Sequence, residues 1–200
     1  MKYRRDIRHV VSNAWLAAVS RAASYHPRAR ASAHGVEVLR DLPYKDGAHV
    51  DVYRPSLRPG PWPVVLYVHG GAFSLLSKDT HWIMGLAFAR HGYLVVNVDY
   101  RLAPEHPFPS AIEDVCAAWE WLAVRGEALG GDLDRVAVAG ESAGGNLISA
   151  LTVATCARYA EPWARRAFDT GLVPHAALPF CAILEVSNAD RFGARRPIPR

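Results

Sequence analysis

Cysteine is scarce in this 200-residue sequence: three residues, Cys116, Cys156 and Cys181, with no CxxC pair and no histidine close enough to suggest a zinc site. That count excludes a disulfide framework and fits a reducing setting, so a cytoplasmic protein is expected. Long apolar runs are also lacking. No stretch reaches the roughly 18 uninterrupted apolar residues needed to cross a bilayer, and the start has no apolar core of a secretory signal. A soluble chain without stable membrane insertion is expected. Charge of one sign is weak, at 23 basic against 19 acidic residues and a net +4. Many of the basic residues fall in the terminal stretches "MKYRRDIRH" and "RFGARRPIPR" rather than on a face with interleaved aromatics, so nucleic acid is not an expected partner. There is no internal repeat and no low-complexity tract. What is present is ordinary and globular: half of the residues are hydrophobic, enough for a buried core.

The apolar residues Ile7, Val10, Val11, Ala14, Trp15, Ala18, Val19 and Ala22 recur at intervals of three and four, which predicts an amphipathic helix from Ile7 to Tyr25, stopped by Pro27. A polar linker, "RARASAHG", follows. Then come Val-rich segments bounded by Gly and Pro: "VEVLRDL", "HVDVYRP", "PVVLYVHG", "YLVVNVDY", "RVAVAG" and "HAALPFCAILEV", all read as strands. Helical patterns separate the later ones, at about Thr80–His91, Pro109–Arg125 and Ala143–Tyr159. Strand alternating with helix requires parallel pairing with crossover helices, so the fold class is α/β. The two strands near residues 36 to 53 precede the alternation and are expected to pair antiparallel at one edge.

Two stretches carry chemistry. "GESAG", Gly140 to Gly144, is a G-x-S-x-G sequence between a strand and a helix. In such a turn the residues two before and two after the serine must be small, as Gly140 and Gly144 are, and Glu141 is a neighbour that tunes the turn. Ser142 would stand above the sheet with the positive end of the following helix beneath it. The amide of Ala143 is the natural first donor to an oxyanion. The second stretch, "VVLYVHGGAF", is a buried strand ending in His69-Gly70-Gly71-Ala72, an HGGG-type loop. Glycines there let backbone N–H groups turn inward with no side chain in the way.

Together "HGGAF", "DYRLAPEHPFPSAIEDV" and "GESAGGNL" resemble the hormone-sensitive-lipase-like branch of the α/β-hydrolases, which are carboxylesterases and lipases. The resemblance runs from the N-terminal helix to the strand near Val186. It implies a mostly parallel sheet with helices on both faces, an N-terminal cap helix and linker over residues 1–34, and a hydrolase core over 35–200 that lacks its C-terminal strands. Carried over by position, Ser142 is the nucleophile, the amides of Gly71, Ala72 and Ala143 form the oxyanion hole, and Gly70 shapes the turn. His69 belongs to the loop and is not the base. The resemblance implies a small-molecule ester as substrate, with short to medium acyl chains favoured, and no metal or organic cofactor; pairing through the outermost strand is common in the family, which leaves the oligomeric state open between a monomer and a homodimer. Ala72 stands where a third glycine is common; its amide survives unless the position needs a positive φ.

The larger departure concerns the proton of Ser142. The fold delivers its triad in the order Ser, Asp or Glu, His, and of the nine histidines only His175 follows Ser142. It opens a strand, at the end of the sheet opposite to the site. His106 sits in a Pro-rich loop and is a candidate for lining the pocket. Asp99 and Asp114 are read as partners of Arg101 or as caps. A triad histidine and acid are therefore expected from outside these 200 residues. The competing reading is an inert hydrolase-like fragment that binds acyl ligands or a partner.

Overall fold

The computed structural model describes residues 7–184. Helix α1 (Ile7–Ala23) is followed by a short 3-10 turn and by strands β1 (Val36–Lys45) and β2 (Ala48–Pro55), an antiparallel hairpin closed by Asp46-Gly47, with Gly47 at φ 72°. Strands then alternate with helices, with two helices before the last strand: β3 (Trp62–Val68), α2 (Trp82–Arg90), β4 (Leu94–Val98), α3 (Ser110–Arg125), β5 (Gly131–Glu141), α4 (Ala143–Cys156), α5 (Pro162–Asp169) and β6 (Ala176–Phe180). The six strands are ordered β1-β2-β4-β3-β5-β6. β1 and β2 are antiparallel to their neighbours, and β4, β3, β5 and β6 are mutually parallel.

Period two divides the central strands between two cores. Val64, Leu66 and Val68 of β3 face α3, α4 and α5 in a cluster that includes the fully buried Trp119, Ile148 and Leu151. Val65 and Tyr67 face the other way, onto Leu86 and Ala89 of α2. Each such aliphatic side chain stabilises the fold by about 1.5–3 kcal/mol on full burial, which is why β3 and β4 read as unbroken apolar runs. The chain passes from β3 through α2 to β4 on one side, then from β4 through α3 back past β3 to β5 on the other. This reversal puts a crevice at the carboxyl ends of β3 and β5, where ligands of open α/β sheets bind.

Three expectations need correction. The helix expected to run to Tyr159 ends at Cys156, because Ala157 is extended (φ −143°, ψ 146°), and a separate helix α5 begins with Pro162 in its first turn. Pro fits there because the first helical N–H has no partner in the helix. The strand expected over "HAALPFCAILEV" is shorter, Ala176–Phe180, broken by Cys181 at φ 50°; its last two residues, 185 and 186, lie outside the described residues. The N-terminal helix stops at Ala23 rather than Tyr25. Its apolar stripe is open: Val11, Trp15, Leu16 and Val19 are all exposed.

Candidate active site

Ser142 lies at the junction of β5 and α4 with φ 49° and ψ −113°, a conformation that a residue with a Cβ rarely adopts. Its hydroxyl makes no hydrogen bond among the described residues, and the side chain is exposed. The backbone is pinned on both sides: Ser142 N donates to Phe180 O at 2.8 Å, and Asn146 N donates to Ser142 O at 3.1 Å. The flanking glycines are there for space. A Cβ on Gly140 would stand 2.7 Å from the carbonyl of Gly144, and one on Gly144 would stand 2.1 Å from Val68 O. Gly145, which no sequence argument singled out, is equally constrained, with Gly140 O 3.0 Å from where its Cβ would be. Strand β5 and the β3 terminus therefore close to backbone contact beneath the serine.

The loop after β3 is the second wall. Ser74 N and Leu75 N both donate to Gly71 O, at 3.0 and 2.9 Å, which curls the chain so tightly that a Cβ on Gly71 (φ 112°) would lie 2.0 Å from Leu75 O. Ala72 and Phe73 follow at φ 51° and 60°. Ala72 thus does occupy a left-handed position, where its methyl costs about 1 kcal/mol, but the strain is borne with the loop in place and its amide is not lost as a donor. Among the described residues the amides of Gly71, Ala72 and Ala143 donate to no protein acceptor. Leu76 N donates to Asn13 Oδ1 of α1 at 2.7 Å, so the N-terminal helix holds this loop directly.

Beneath the two walls runs a row of rings. Tyr100 donates its hydroxyl to His69 O at 3.1 Å and stacks on the His69 ring at 4.2 Å; His69 in turn stacks on His81 at 5.5 Å. His69 is fully buried, with Nδ1 2.7 Å from Gly70 O and Nε2 3.6 Å from Asp99. His81 Nε2 lies 2.8 Å from Glu141 Oε1. Burial, with the charge of Glu141 adding to it, raises the Tyr67 phenol above its ordinary value.

The other residues singled out from the sequence lie elsewhere. His175 N donates to Val136 O in the middle of β5, six residues along the chain from Ser142. His106 is exposed, in the loop where its N–H donates to Leu102 O. Asp114 is buried and paired with Arg101 at 2.8 Å and Lys45 at 2.7 Å. Asp99 pairs not with Arg101 but with the amide of Lys78, at 3.1 Å. His81 is the residue that sequence reasoning missed: nothing in the spacing between positions 81 and 141 signals their contact. No group of three or more His, Cys, Asp or Glu fit to hold a metal ion occurs among the described residues, and no described helix is long and apolar enough to cross a membrane.

The fold that carries this glycine-flanked serine is shared with known proteins. Residues 65–188 match the family model described as alpha/beta hydrolase fold. The chain belongs to the α/β-hydrolase fold family. Within the α/β-hydrolases its relatives fall in the hormone-sensitive-lipase-like branch. The carboxylesterase NlhH of Mycobacterium tuberculosis is 46% identical over 118 residues, which are 58% of this chain and 35% of that protein. The esterase LipI of the same organism is 50% identical over 93 residues, 44% of this chain and 28% of its own length. Among solved structures, esterase LipW from Mycobacterium marinum superposes with a TM-score of 0.71 at 31% identity, over 89% of this chain and 53% of LipW. The α/β-hydrolase chain described here thus spans about half the length of that structure and about a third of the curated relatives.

Proposed function

We propose that this chain carries the nucleophile and oxyanion hole of a carboxylic ester hydrolase. In this reading Ser142 Oγ attacks the ester carbonyl, and the carbonyl oxygen, as it becomes an alkoxide, accepts hydrogen bonds from the amides of Gly71, Ala72 and Ala143. Gly70 gives the loop its turn, while Gly140 and Gly144 let the elbow close. The observation that carries the reading is at Ser142: an exposed residue at positive φ, on an elbow packed against the loop whose Gly71 and Ala72 amides, like that of Ala143, have no protein acceptor among the described residues. Donors fixed in place before the charge develops need no reorganisation, and losing one costs about 10²-fold or more in turnover. The reading assigns the histidine base and its orienting acid to residues beyond this sequence, since no described histidine bonds to Ser142 Oγ. The esterases and carboxylesterases named above support ester substrates, and short to medium acyl chains are our proposal for them. The free cysteines support a reducing, cytoplasmic setting.

The test is covalent. In a chain extended to carry the histidine base, a fluorophosphonate probe is expected to label Ser142, identified by peptide mass, and Ser142→Ala to abolish both labelling and hydrolysis of p-nitrophenyl butyrate. Labelling that persists in the alanine variant would assign the nucleophile elsewhere.

A further inference from the structure

The three amides proposed as the oxyanion hole come from two separate loops, Gly71 and Ala72 after β3 and Ala143 after β5. Their convergence is therefore set by the contact between the loops, and sites of this kind work only when held within about 0.5 Å of the productive geometry. That contact runs through Glu141. A Cβ on Gly70 would stand 3.0 Å from Glu141 O and 3.1 Å from both its Cγ and its Oε1, so the Glu141 side chain lies directly against the main chain of the first loop. The same carboxylate is held from the other side by His81, at 2.8 Å.

His81 is itself oriented. It is 8% exposed, and its Nδ1 lies 2.9 Å from Thr80 Oγ1 and 3.2 Å from Ser77 O. Thr80 Oγ1, which has a single proton, is also 2.7 Å from Ser77 O. When that proton goes to Nδ1, the ring donates from Nε2 to Glu141 Oε1, and both ring nitrogens have a partner. The groups around the ring are His69, stacked at 5.5 Å and itself 3.6 Å from Asp99, and Tyr67, at 6.2 Å.

We propose that His81 is a positioning residue that clamps Glu141 against Gly70 and so fixes the serine elbow relative to the oxyanion loop. Its consequence for catalysis rests on Ser142 being the nucleophile; the clamp itself does not. His81 touches neither ester nor reacting atoms in this scheme. It acts through Glu141.

Amide hydrogen exchange, read by mass spectrometry on peptides covering 69–76 and 140–146, tests the clamp without requiring any chemistry. With a charge-assisted bond removed, His81→Ala is expected to raise exchange about tenfold in both peptides, while peptides from β4 and α3 stay as they are. His81→Gln, whose side-chain N–H reaches the place of Nε2–H, should restore protection. The rate of fluorophosphonate labelling at Ser142 should fall and recover in parallel. Unchanged exchange in either loop overturns the proposal, as does an equal rise across the whole sheet. Should His81→Ala not fold, Glu141→Ala removes the other partner at a side chain that is 44% exposed; the same two peptides must then lose protection, and if they do not the clamp is refuted. A chain extended to carry the histidine base that shows the exchange pattern but takes no label would keep the clamp and remove the nucleophile assignment.

Discussion

Ser142 carries a conformation that its neighbours impose. At φ 49° and ψ −113° a residue with a Cβ is strained by about 1–3 kcal/mol, and glycine is not. The strain is sustained by the amide bond to Phe180, by the first turn of α4 and by the backbone contacts of Gly140 and Gly144. Stability and function should therefore diverge at this one position. Ser142→Gly is expected to raise the melting temperature relative to Ser142→Ala, by an amount equivalent to about 1 kcal/mol, although both lack the hydroxyl and neither takes a fluorophosphonate label. Equal melting temperatures would mean that the elbow relaxes once the hydroxyl is gone. At this scale the sequence was legible wherever the requirement was for smallness: Gly140, Gly144, Gly70 and Gly71 each sit where a Cβ would meet backbone at 3.0 Å or less. It was not legible for His81, whose partner Glu141 is 60 positions away and is reached only because β3 and β5 are neighbours.

Among elements, the junction of β1, α3 and the loop after β4 depends on one buried carboxylate. Asp114 of α3 binds Lys45 at the end of β1 and Arg101 in the loop. Burial acts to raise its pKa, but the hydrogen bonds from Arg101 and Lys45 outweigh it, and the carboxyl is held below its ordinary value. A depressed folded-state pKa stabilises the fold above the unfolded value, near 3.9, and that contribution is lost as pH falls through the folded value. Urea unfolding of wild type and Asp114→Ala should differ by about 2 kcal/mol near neutral pH, because charge-assisted bonds from two partly exposed cations are lost, and the gap should narrow below about pH 4. A gap independent of pH would mean that the loss is one of packing. The elements themselves were largely readable, since apolar runs bounded by Gly and Pro marked β2 to β5 and three-four spacing marked α1 to α4. Helix α5 was hidden because it is only eight residues long and its fully buried positions, Ala164 and Ala167, are small, with Trp163 only partly buried against the core.

For the whole molecule, strand order was the least legible feature, because the reversal between β4 and β5 depends on which face each crossover helix covers, and no local pattern records that. The order has a consequence at the far edge. β6 pairs with β5 on one side only among the described residues, and it is the most exposed strand of the sheet, with Leu178 38% and Phe180 41% accessible. Ile183 at 57% and Leu184 at 52% extend the patch. Unpaired N–H and C=O groups beside apolar side chains recruit another strand, and the devices that prevent this, charge and proline, are confined within the strand to Pro179. The open stripe on α1 adds a second apolar area. The 200-residue chain is therefore expected to bind a dye that reports exposed apolar surface, and to elute on size exclusion above the 21.9 kDa of a monomer. Replacing Leu178 with Lys puts a charge in the middle of the edge, and should shift the elution towards the monomer if β6 makes the contact. A chain that is monomeric, free of bound dye and unaffected by Leu178→Lys would show that this edge is covered in solution.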